Sequence, residues 1–280
     1  MRDLAPTRPG HVGAVLPVLG VTLLTAFVVV PPAFVTGGPG EGVTGPGELR
    51  QAFGAAFAQY WPSARAELPP DLAGLVEYWF RYHVVKAVIA ALLLSVTAVL
   101  GRRLWLAFVR SQASAGRRVT LACAAVSVSL LGLFSAVLVM ANVQGAVAPM
   151  ASLLPMLSDT TADGPQAATL NQVRHHLASP GMAAQAPPAL DAMTADFARY
   201  HLAMAVIAAT VALLLAAGSV LAWTGLVRTR RADRRERRLL GAAGVASTLL
   251  TLGLVVIAVA NIGTAVDPVP ALRTVFDGGW

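Results

Sequence analysis

The sequence is short of charge, of lysine and of cysteine, and each shortage closes off a class of protein. Charged residues make up 12% of the 280 positions, about half the share of an ordinary soluble domain. Hydrophobic residues make up 56%, with a mean hydropathy of +0.66. A water-soluble fold of this length has no core large enough to hide so much apolar surface, so the bilayer has to act as solvent for part of it. The single cysteine, Cys123, lies inside an apolar run, which rules out a disulfide framework and a cysteine-based metal site. P-loop, dinucleotide fingerprint, HExxH and serine-elbow patterns are all missing, so no reaction is indicated and the balance leans away from an enzyme. Lys86 is the sole lysine. Abundant alanine together with arginine in place of lysine points to a GC-rich bacterial genome, and so to a bacterial inner membrane.

What is present is a set of long apolar runs. A helix needs roughly 20 mainly apolar residues to cross the hydrocarbon core. Five segments qualify: His11–Val35, Val84–Val109, Val119–Ala141, Leu202–Val227 and Leu239–Ala260. The first is longer than a signal-peptide core and lacks a small-residue cleavage site before Pro31 and Pro32, so it is read as an uncleaved anchor. The formal charge of +7 would suit a nucleic-acid partner, but the cations fill short connections between apolar runs, which is a topological pattern. Arg102, Arg103, Arg110, Arg117 and Arg118 occupy one connection; Arg228, Arg230, Arg231, Arg234, Arg235, Arg237 and Arg238 occupy the other. The positive-inside rule puts both in the cytoplasm, with the N-terminus inside and the C-terminus outside. On that assignment the inside segments hold 14 Lys/Arg and 3 Asp/Glu, the outside segments 7 and 11. Trp105 and Trp223 stand beside the basic connections, where an inner aromatic belt belongs.

The chain also repeats itself. At an offset of 118, Pro69-Pro70 matches Pro187-Pro188, Arg81-Tyr82-His83 matches Arg199-Tyr200-His201, and Trp105 matches Trp223. Beyond the second basic connection the offset is 119, where Asn142 matches Asn261 and Pro149 matches Pro268. Polar and aromatic identities at a fixed register carry more weight than apolar ones. The expectation is an all-α integral membrane protein of five transmembrane helices built from parallel repeats. Residues 1–118 form the first repeat with an outer helical loop at 36–80; residues 119–238 form the second with an outer loop at 143–200. Residues 239–280 supply the fifth span and a short outer tail. Gly45-Pro46 and Gly164-Pro165 each open one short helix, and each double proline opens another that continues into the membrane.

The repeat places matching polar residues at matching depth near the outer face. Arg81, Tyr82, Arg199 and Tyr200 suit headgroup-level anchors. His83 and His201 sit just inside the apolar zone, where an ionisable group is a functional candidate. Asn142 and Asn261 end the neighbouring spans, so each can hold one ring nitrogen of its histidine. Either the pairs tie helices together, or His83 and His201 are ligands of a haem iron or a transition metal. His175-His176 reads as a solvated face, and Glu77 and Asp196 are out of register with each other. Gly241, Gly244 and their small neighbours open the fifth span with a surface suited to close helix packing.

Three classes of function remain. The favoured one is a non-catalytic subunit, scaffold or sensor acting through its outer helical cap, with the lipid bilayer, another membrane protein or a second copy as partner. A haem or metal redox protein is the second, and a carrier of a lipid or small molecule in a pocket between the repeats is the third.

Overall fold

A computed structural model describes residues 12–35, 43, 45–63, 65–158, 164–179, 187–230 and 233–278. His11, Arg231 and parts of both long connections lie outside the described residues. Within them the chain is helical, with no strand. In chain order the helices are α1 (Val12–Val35), α2 (Pro46–Tyr60), α3 (Pro70–Arg110), α4 (Ala115–Val147) and α5 (Pro149–Leu153). They continue as α6 (Pro155–Ser158), α7 (Pro165–Ala178), α8 (Pro188–Arg228), α9 (Arg234–Val266) and α10 (Pro268–Phe276). Five of them, α1, α3, α4, α8 and α9, are long and apolar enough to cross a membrane.

Proline sets the helix starts. Seven of the ten α-helices among the described residues open on it, at positions 46, 70, 149, 155, 165, 188 and 268. The ring presets φ for the first turn, and its missing N–H would have no intrahelical partner there. Proline also biases the residue before it away from helix. Ala148 (φ −136°, ψ 73°) and Asp267 (φ −129°, ψ 82°) interrupt the helix immediately before Pro149 and Pro268. Nothing breaks α4 or α9 earlier, so both run past the apolar segments Val119–Ala141 and Leu239–Ala260 at either end. The two helices of 41 residues, α3 and α8, are about 60 Å long, twice the ~30 Å hydrocarbon core. Their first turns therefore have to serve something other than crossing.

The chain divides into two compact units. One holds the described part of Met1–Pro31 together with Val85–Val139. In it α3 buries a narrow stripe, Ala90, Leu93 and Thr97, at helical spacing. Thr97 lies under Gly132 of α4, where an added Cβ would meet Thr97 Oγ1 at 3.4 Å. Lys86 Nζ rests 4.5 Å from the Phe27 ring centroid of α1, a cation–π contact.

The other unit holds Pro32–Val84 and Met140–Trp280. Its main core joins Leu49, Phe53, Phe57 and Tyr60 of α2, Trp61 in the turn that follows it, Leu72 and Leu75 of α3, and Leu153, Leu154 and Leu157 of the segment after α4. Leu170, Val173 and Leu177 of α7, Met193 and Phe197 of α8, and Leu272 and Phe276 of α10 complete it. The α2 residues recur at i, i+4, i+8 and i+11, so one apolar face of that helix is buried while Gln51 and Gln59 stay outside. This core forms a helical cap. α8 then changes character along its length. Its buried positions are Ala189, Met193 and Phe197 in the cap, and Ala205, Ala208, Ala212, Ser219 and Ala222 beyond it. Only small residues occupy the inner stripe after His201, as expected where a helix packs by close backbone approach.

Candidate functional site

The cap ends of α3 and α8 present Arg81-Tyr82-His83 and Arg199-Tyr200-His201 after three turns of cap packing. His83 Nδ1 lies 3.0 Å from Asn142 Oδ1 of α4. His201 Nδ1 lies 2.8 Å from Asn261 Oδ1 of α9. The Asn261 amide nitrogen donates to the Ile257 carbonyl at 2.8 Å, which fixes the amide so that Oδ1 is the acceptor. His201 is then the donor through Nδ1–H, and its neutral tautomer keeps a lone pair on Nε2. An aromatic ring one turn earlier supports each imidazole edge-on. Trp79 stands 4.8 Å from His83 at 82°, and Phe197 stands 4.6 Å from His201 at 66°. Trp79 and Phe197 occupy register-related positions, and sequence reasoning missed both because aromatic identity is not preserved between them.

The two histidines differ on their other side. An added Cβ at Gly145 would come within 2.7 Å of His83 Nε2, so the ring lies flush against α4 where only glycine fits. His201 instead lines a cavity of about 300 Å³, together with Ala151, Ser152, Pro155, Phe197, Tyr200, Ala271, Thr274 and Val275. The cavity is lined by the segment after α4, by α8 and by α10. His83, Asn142 and Asn261 are not among its lining residues. Four of the eight candidate residues are thus drawn into two His–Asn pairs, one on each hairpin. Gln144 of α4 reaches across, donating to the Tyr200 carbonyl at 3.2 Å.

The arginines and tyrosines behave as local supports. Arg81 pairs with Glu77 at 2.7 Å and Arg199 with Asp196 at 3.0 Å, each on its own helix. Both guanidinium groups are more than half exposed, so these pairs contribute little, about 0.5 kcal/mol or less each. Tyr82 stacks flat on Trp79 with centroids 5.0 Å apart. Glu77 and Asp196 are out of register, yet each supplies the carboxylate for its own arginine. Asp196 also accepts the Ala151 N–H at 2.8 Å, capping α5, which has no side-chain cap of its own. Asp196 precedes the apolar run of α8. Burial raises its carboxyl above the ordinary value, against the pull of the Ala151 N–H and Arg199.

One expectation is corrected. His176 is half-buried against Trp61, ring centroids 6.0 Å apart, whereas His175 is exposed. It belongs to the α7 face that covers the cap core, so the pair is not a uniformly solvated face. The close helix packing expected at Gly244 is present: an added Cβ there would sit 2.9 Å from the Trp223 ring of α8. Trp223 Nε1 reaches Thr248 Oγ1 at 3.4 Å, and Trp105 Nε1 donates to Ser129 Oγ at 3.1 Å. These are register-related ties near the opposite helix ends, and a belt reading of the tryptophans does not disclose them.

For metal chemistry, the described residues contain no group of three or more His, Cys, Asp or Glu placed to hold an ion. What the arrangement can do is orient two imidazoles and, at His201 alone, present one to an apolar cavity. Comparison with protein-family models, with curated proteins and with solved structures finds no match for this chain.

Proposed function

We propose that this chain is a multi-pass bacterial inner-membrane protein with its N-terminus in the cytoplasm and its C-terminus outside. It is internally duplicated and works without catalysis, as a subunit, scaffold or sensor presenting an extracytoplasmic helical cap. The observation that carries this reading is the single apolar core formed by α2, α7, α10 and the first turns of α3 and α8. A chain whose connections only joined spans would have no reason to extend two helices to 41 residues and close a core over them. Five apolar helices and the inside-positive arginines support the placement. The repeat-related His–Asn and Trp–hydroxyl ties support the duplication.

In this account His83–Asn142 and His201–Asn261 hold the hairpins together where the cap meets the membrane. The closed edge of His83 at Gly145 favours a tie over a ligand. Two measurements test the class. Photo-crosslinkers at the exposed cap residues Gln59 and Gln172 should give a discrete protein adduct in intact cells, absent from the apolar exposed position Val256. A Soret band, or a transition metal at one equivalent per chain in the purified protein, would replace this reading with the redox one.

A further inference from the structure

The 300 Å³ cavity beside His201 has a specific origin in the difference between the two copies. In the first copy, Trp79 of α3 donates its indole N–H to Ser152 Oγ at 2.8 Å, bridging the helix entrance and the segment after α4. The positions related by the repeat are Phe197 on α8 and Ala271 on α10. Phenylalanine and alanine remove the second ring, the N–H and the hydroxyl together, and both residues line the cavity. The repeat-related place in the first copy, lined by Trp79, Tyr82 and Met156, keeps only about 120 Å³, so the second copy's cavity is the enlarged one. The cavity is a cleft open on one side and largely apolar in its lining, the form of a small-molecule site, and it lies next to the repeated His–Asn pair.

From this geometry we infer that the cavity is a binding site for a neutral amphiphile of the outer leaflet, an apolar body carrying one hydroxyl head. The lining residues include no Asp, Glu, Lys or Arg, so no fixed charge is there to meet an ionic head. Ser152 Oγ is engaged, accepting from Trp79 and donating to the Pro149 carbonyl at 2.9 Å. His201 is committed through Nδ1 to Asn261, leaving Nε2 as an acceptor for a ligand O–H. His201 immediately precedes Leu202, where the apolar run of α8 begins, so the head would lie at headgroup depth and the body among Phe197, Ala271 and Val275. The volume falls at the lower end of small-molecule sites, enough for one short chain or ring. The inference takes from the membrane reading only the depth of His201, and its test is separate from topology.

The test uses the full chain in nanodiscs and a decyl alcohol carrying a diazirine. Photolysis should attach the probe within 151–155, 197–201 or 271–275, with 1-decanol competing and decane competing about fivefold less well, the value of one net hydrogen bond. His201→Phe should abolish the preference for decanol over decane. The double variant Phe197→Trp/Ala271→Ser rebuilds the first copy's pair and should cut labelling at least tenfold while its thermal midpoint stays level or rises. Ala271→Leu fills the same space from α10 alone and must show the same loss, which covers a double variant that fails to fold. Labelling of either folded cavity-filling variant at the parental level would overturn the site. Equal competition by decane would overturn the hydroxyl head, and labelling spread over the exposed helix faces would overturn both.

Discussion

His201 and Asn261 are joined with a defined direction, since the Asn261 amide nitrogen is held by the Ile257 carbonyl and leaves only its oxygen to meet the imidazole N–H. The same pairing joins His83 to Asn142. If the pairs are ties, a double-mutant cycle of His201→Ala and Asn261→Ala should give a coupling of about 0.6 kcal/mol, the membrane average, and not more than about 1.7 kcal/mol. Unfolding in mixed micelles measures it. Zero coupling would mean the bond contributes nothing to holding α8 on α9.

Gly145 is predicted to be far less replaceable than Gly263. At Gly145 a Cβ would meet His83 at 2.7 Å, while at Gly263 it would meet nothing within 4 Å. Gly145→Ala should cost about 1–3 kcal/mol as overpacking. Gly263→Ala should be neutral or stabilise by up to about 1 kcal/mol through helix propensity. Equal effects in the same unfolding assay would remove the argument that His83 lies closed against α4.

Asp196 should confer a pH dependence of its own. Its folded-state pKa is raised, chiefly by burial, so the folded protein binds this proton more tightly than the unfolded chain. Stability from this group is therefore greatest below the ordinary value of 3.8 and falls as pH rises through the raised value, then stays flat. Asp196→Asn keeps an acceptor for the Ala151 N–H and should flatten that limb of the thermal-midpoint curve. An unchanged curve would count against a buried carboxyl here.

Much of this architecture is legible in the sequence, because the signals are strong where the bilayer or proline dictates them. Apolar length marks α1, α3, α4, α8 and α9, and the double prolines show that α3 and α8 begin well outside their apolar runs. Register alone pairs His83 with Asn142 and His201 with Asn261. The cap core is less legible: the spacing in α2 and α7 shows an apolar face but not which helix covers it. The helices after Pro149 and Pro268 are too short to carry a periodic signal. Trp79 and Phe197 support their histidines from one turn away, and only the offset relates them, since an indole and a phenyl ring share no identity. His176 reads as polar until Trp61 is seen beside it. The larger size of the second copy's cavity follows only from comparing Trp79 and Ser152 with Phe197 and Ala271.

Thiol accessibility reads directly on which side of the membrane the cap lies. In a Cys123→Ala background, single cysteines at Gln59→Cys and Gln172→Cys on the cap, and at Ser114→Cys and Glu236→Cys in the basic connections, place exposed thiols at both ends of the helices. On intact cells an impermeant maleimide should label the cap pair fully and the connection pair only after permeabilisation. Labelling of Ser114→Cys or Glu236→Cys on intact cells would contradict the five-span, cap-outside arrangement.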